Sequence, residues 1–110
     1  LINFQNKEDI YILSLEGSIL HKDSQSLKEY FDGMYENKIK KIIIDMTKTH
    51  HICSSALGHM VYMENRLRQI GGEIKLVIKD EDLLELMDIT LLNQVFLIYK
   101  TLSDAVSAFL

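Results

Sequence analysis

Apolar and polar residues alternate in some stretches of the chain and recur at helical spacing in others, and the two patterns take turns. Ile10, Tyr11, Ile12, Leu13 and Leu15 form a β-branched and aromatic block that predicts a strand ending at Gly17. Leu1 to Phe4 predict a short strand before it, with Asn6 to Asp9 as the polar turn between them. From Ser24 to Met34 the period lengthens. Leu27, Tyr30, Phe31 and Met34 fall on one helical face, with Asp23 or Ser24 as the cap. Lys40 to Met46 is an aliphatic run bounded by charges, which predicts a strand covered on both faces. Thr47 to His51 is polar and predicts a connecting loop.

The longest helix is predicted to start at Ser54 or Ser55. Leu57, Met60, Val61, Glu64 and Leu67 keep its spacing, and Gly71-Gly72 stops it. Ile74 to Ile78 then predicts a strand that alternates around Lys75, and Asp80 to Asp88 a short helix. Val95 to Tyr99 predicts a last strand, and a final helix follows, capped by Thr101 or Ser103. Strands alternating with helices give an α/β domain, with one mixed sheet of four to five strands packed with about four helices. The first two strands, joined by a short turn, are predicted to be antiparallel.

Composition narrows the possibilities. The chain has 110 residues, 47% hydrophobic and 25% charged, which fits one folded domain over residues 1–110 and is wrong for a disordered protein. No apolar run approaches the roughly 18 residues that insertion into a bilayer requires. Leu1 to Glu8 lack the basic start and long apolar stretch of a secretory signal. The single cysteine, Cys53, excludes an intrachain disulfide and fits a cytoplasmic setting. The formal charge of −4 argues against nucleic acid as a partner, and Lys38, Lys40 and Lys41 read as solubility charges flanking a strand.

Candidate chemistry collects where the third predicted strand meets the long helix, at the carboxyl end of a strand as α/β sheets favour. The segment Thr49 to His59 holds two serines, the only cysteine and three of the four histidines. A serine there either caps the helix or accepts a phosphate, which the free N–H groups and the helix dipole would welcome. His50, His51, Cys53 and His59 do not have the spacing of a known metal site, so no metal or other cofactor is expected. Cys53 reads as a small packed residue and Asp45 as a structural acceptor for loop backbone. No nucleophile elbow, phosphate cradle or dinucleotide fingerprint is present, and no catalytic residue is assigned: the chain reads as a binding module, not an enzyme.

In order and spacing these pieces resemble the STAS family, the domains of sulfate transporters and anti-sigma factor antagonists. The likeness rests on Ile43-Ile44-Asp45-Met46, on Cys53-Ser54-Ser55-Ala56-Leu57-Gly58 opening a helix, and on Gly71-Gly72-Glu73-Ile74-Lys75-Leu76-Val77. Leu83 to Met87, Val95 to Tyr99 and Leu102 to Val106 look like the family's closing parts. Four positions depart from the family pattern. Cys53 stands where Asp is usual and Ala56 where Gly is. Gly17-Ser18-Ile19-Leu20 lacks the final Asp of the usual Gly-x-Leu-Asp, and Leu91-Leu92 replaces Gly-Leu.

The resemblance implies a bacterial regulator of transcription. Its partner would be an anti-sigma factor that is also a serine kinase, with a phosphatase to reset the switch. Ser54 would be the phosphate acceptor. Cys53, Ser55, Leu57 and Gly58 would form part of the docking patch, bordered by His21 to Ser24. Apart from the resemblance, the apolar Ile19 and Leu20 near a strand end are expected to form an exposed contact patch, such as self-association would use. The same resemblance also implies an alternative without phosphorylation, a scaffold or soluble subunit of a stressosome or lipid-transport assembly.

Overall fold

The computed structural model describes residues 2–110. Leu1, the first residue of the predicted opening strand, lies outside them. The elements in order are β1 (Ile2–Lys7), β2 (Ile10–Ile19), α1 (His21–Glu36), β3 (Lys41–Ile52), α2 (Ser54–Arg68), β4 (Glu73–Val77), α3 (Glu81–Ile89), a short 3-10 turn (Leu92–Gln94), β5 (Leu97–Tyr99) and α4 (Leu102–Phe109). The five strands form one sheet in sequence order. β1 is antiparallel to β2, and every other pairing is parallel. This is the mixed α/β sheet with four helices that the pattern predicts. The first turn is tighter than predicted, because β1 runs on to Lys7 and Glu8-Asp9 alone close the hairpin.

Successive parallel strands lie side by side in one direction, so right-handed crossovers place α1, α2 and α3 on the same face. There Leu13, Leu15, Ile42, Ile44 and Leu76 meet Leu27, Phe31, Met60, Met63, Leu67, Leu83 and Met87 in the main core. The opposite face carries a smaller cluster, in which Ile10, Ile12, Ile43 and Val77 lie under Ala105 of α4. Ile42, Ile43 and Ile44 therefore serve both layers, as the uninterrupted aliphatic run predicts. Lys75 does not alternate outward from β4. It is buried, paired with Glu73 at 3.1 Å, and its ammonium lies 4.6 Å from the Phe109 ring.

The polar stretch Thr47–His51 is strand, not loop, and β2 continues past Gly17 to Ile19. The two strands pair along this extension with two register slips, each adding a residue to β3. Buried residues there, Met46, Thr49 and Ile52, consequently recur every third position instead of every second. Thr49 is buried at no cost in hydrogen bonding, since its hydroxyl donates to the Leu15 carbonyl at 2.7 Å. Gly17 lies at the second slip with φ +79°, a conformation only glycine adopts cheaply.

Gly72 answers a different demand. A Cβ there would sit 2.6 Å from the Lys40 carbonyl oxygen, so the chain leaving α2 can pass β3 only as glycine. Nearby, the buried carboxylate of Glu64 ties α2 to β4. It accepts from the Ile74 N–H at 2.7 Å and from Arg68 Nε. Among the described residues no helix is long and apolar enough to cross a membrane.

Candidate functional site

β2 and β3 end together, and the helices that follow start together. Cys53 N–H donates to the Ile19 carbonyl at 2.9 Å, which fixes the start of α2 beside the start of α1. The capping expectations shift by a residue or more. Cys53, not Ser54, is the N-cap of α2, and Ser54 is the first helical residue, exposed to solvent. α1 begins earlier than predicted, at His21, with Leu20 as N-cap. Asp23 acts from inside the first turn, its carboxylate accepting the Leu20 N–H at 2.9 Å. Neither N-cap side chain makes a capping bond.

Three side chains meet across the two helix starts. Ser55 Oγ lies 3.3 Å from Cys53 Sγ and 3.4 Å from His21 Nδ1. His21 is exposed, Cys53 and Ser55 are half-buried, and Leu57 packs its side chain against the core. Gly58 is exposed, and a side chain there would point into open space, which leaves room for another backbone to approach. Of the apolar pair at the end of β2, Leu20 is exposed and Ile19 is fully buried. Ser24 is turned inward. It is buried, its hydroxyl donating to the His21 carbonyl at 2.8 Å, and offers no surface to a partner.

The first turn of α2 carries no acid. Its leading N–H groups have no intrahelical acceptors, as at any helix start, and the dipole there is positive. A negative group on Ser54 would thus meet donors and no like charge from its own first turn.

The other candidates scatter. His50 and His51 are exposed near the end of β3, where His50 Nδ1 is 4.0 Å from the Asp80 carboxylate, and His59 lies in the second turn of α2. Among the described residues no three His, Cys, Asp or Glu side chains gather as a metal site would require. Asp45 Oδ1 accepts the Thr47 N–H at 3.0 Å, at the first register slip of β3.

A second cluster lies farther along the same two helices. Asp32 accepts from Lys28 at 2.7 Å and from Arg66 at 2.9 Å. The hydrogen bond from Lys28, then that from Arg66, holds the Asp32 carboxyl below its ordinary range, and the Lys28 ammonium is raised in return. Arg66 stacks 3.9 Å from the Tyr35 ring centre and 5.2 Å from that of Tyr62. The sequence reading missed this cluster, although Lys28 and Asp32, and Tyr62 and Arg66, each stand four residues apart.

The fold has counterparts among known proteins. The chain is 27% identical over 99 residues to a Thermotoga neapolitana protein named as an anti-sigma factor antagonist homologue, covering 89% of this chain and 88% of that one. It superposes with a TM-score of 0.90 on the crystal structure of a Thermotoga maritima protein named as an anti-sigma factor antagonist, at 23% identity and covering 97% and 92% of the two chains. The phosphorylated form of the Bacillus cell-fate determinant SpoIIAA superposes at 0.81 over the full length of both chains, at 12% identity. The family model of the STAS domain matches residues 2–105, and the chain belongs to that family.

Proposed function

We propose that this protein is a regulatory switch of the anti-sigma factor antagonist type. It docks on an anti-sigma factor that is a serine kinase, and phosphate on Ser54 ends the interaction until a phosphatase removes it. The observation that carries this reading is the setting of Ser54: exposed, first in α2, on a helix whose first turn holds no acid. A phosphate would add roughly −1.5 to −2 charges there, enough to change what the surface accepts without disturbing the core beneath. Cys53, Ser55, Leu57 and Gly58, with His21 across the gap, form the patch around it. Ser24 does not belong to it.

Purified protein, ATP and the kinase provide the test. Phosphate should enter the wild type at Ser54, and Ser54→Ala should take up none while still forming the complex. Equal phosphorylation of Ser54→Ala would contradict the assignment.

A second reading has its own support. Both helix starts carry neutral N-caps, Leu20 and Cys53, at the positions where the family pattern has Asp. A STAS domain that docks without phosphorylation, in a stressosome or lipid-transport assembly, needs neither acid. Neighbouring genes separate the two: a kinase and a sigma factor favour the switch, a transporter ATPase favours the assembly subunit.

A further inference from the structure

α1 and α2 keep pace with each other from their shared start. His21 meets Ser55 at 3.4 Å, and Asp32 meets Arg66 at 2.9 Å. On both helices the second contact lies eleven residues beyond the first, three turns or about 16 Å of axis. The helices therefore run parallel and in step, and the seam between them is straight. Gln25, Lys28 and Asp32 follow it on α1, and His59, Tyr62 and Arg66 on α2, at the three- and four-residue spacing of one helical face.

The far end of this seam is ordered before anything binds. Arg66 is held by the Asp32 carboxylate and by the Tyr35 ring, and the Tyr62 ring stands against it while remaining 62% exposed. Two cations, Lys28 and Arg66, share the Asp32 carboxylate, which leaves that triad one positive charge over, while the neighbouring Glu29 carboxylate accepts from Gln25 at 3.4 Å. Tyr and Arg are the side chains that most often dominate protein interfaces, and a prearranged pair loses little freedom on docking.

We infer that this seam is a second contact for the protein that acts on Ser54, and that Tyr62 and Arg66 set the affinity of that encounter. The inference rests on the switch reading. The partner presents an apolar recess for the Tyr62 ring beside an acidic side chain for the surplus charge. Ser55 and Arg66, about 16 Å apart along one helix, fit within a single interface of ordinary size, which buries about 800 Å² on each side.

Steady-state phosphorylation by the purified kinase tests this. Tyr62→Ala should raise the KM for this protein about tenfold and leave kcat within about twofold, since Ser54 and its surroundings are unchanged. Arg66→Lys keeps the charge but loses the stack and the fork, and should raise KM by a smaller factor. Thermal melts of both variants separate a lost contact from a lost fold. If Ser54 is phosphorylated normally and Tyr62→Ala has the wild-type KM, the seam inference fails while the switch stands. If the kinase places no phosphate on wild-type Ser54, both fail.

Discussion

At the scale of single residues, three departures from the family pattern fall at backbone positions with special demands. Leu91 adopts φ +61°, ψ +18°, the left-handed region where a side chain costs about 1–2 kcal/mol. The glycine usual at that point would avoid this cost. Leu91→Gly should therefore stabilise the protein by about 0.5–1 kcal/mol, after allowing for the extra freedom glycine gives the unfolded chain. A urea midpoint that rises with no change in slope would verify it; an unchanged or lower midpoint would contradict it. Cys53 and Leu20 are helix N-caps, where Asp is among the best residues and neither of these is. Cys53→Asp should add about 1 kcal/mol through a carboxylate accepting first-turn N–H groups, measured in the same denaturation series. The same variant probes function. Unchanged turnover by the kinase would show that the missing acid is not what sets recognition. These departures are visible in the sequence, but their meaning is not, because a list of residues does not say which one sits outside the helix or has positive φ. Ser54 illustrates this. It looks like the cap, and one residue's shift in the helix start makes it the exposed first residue instead.

At the scale of elements, helices and strands are legible wherever one period holds. Leu27, Phe31 and Met34 are buried on α1, and Met60 and Leu67 on α2, as their spacing predicts. Legibility fails where the period breaks. Two register slips turn the end of β3 into a three-residue repeat, and Thr47 to His51 read as loop. The seam between α1 and α2 is hidden for a different reason, since it depends on two helices being in step and no local pattern encodes that. Glu64 shows how such tertiary ties override polarity. It follows the apolar spacing of α2 and is buried, because its carboxylate serves the Ile74 N–H and Arg68. Glu64→Ala should cost about 2–3 kcal/mol, since it leaves a buried N–H without an acceptor and opens space in the core. Loss well under 1 kcal/mol by calorimetry would mean that water replaces the carboxylate.

At the scale of the whole molecule, the sheet gathers its chemistry at one end. Parallel strands β2 and β3 finish together, so the starts of α1 and α2 form one surface bearing His21, Ser54 and Ser55. The core beneath is mainly aliphatic on the helix face, with Leu13, Leu15, Ile42 and Ile44 buried under three helices. A charge added at Ser54 lies outside this core, which is why the switch reading predicts altered docking without unfolding. The α/β architecture is legible from alternation and motif order. The step-for-step alignment of the two helices, and the inward turn of Ser24, required the fold.

The most direct test of the switch is phosphopeptide mass spectrometry on the protein taken from its own cells, in growth and in starvation or stress. The account predicts phosphate on Ser54 with an occupancy that changes between conditions. Ser54 without phosphate in every condition would contradict it, and the non-phosphorylated assembly subunit would then be the better reading.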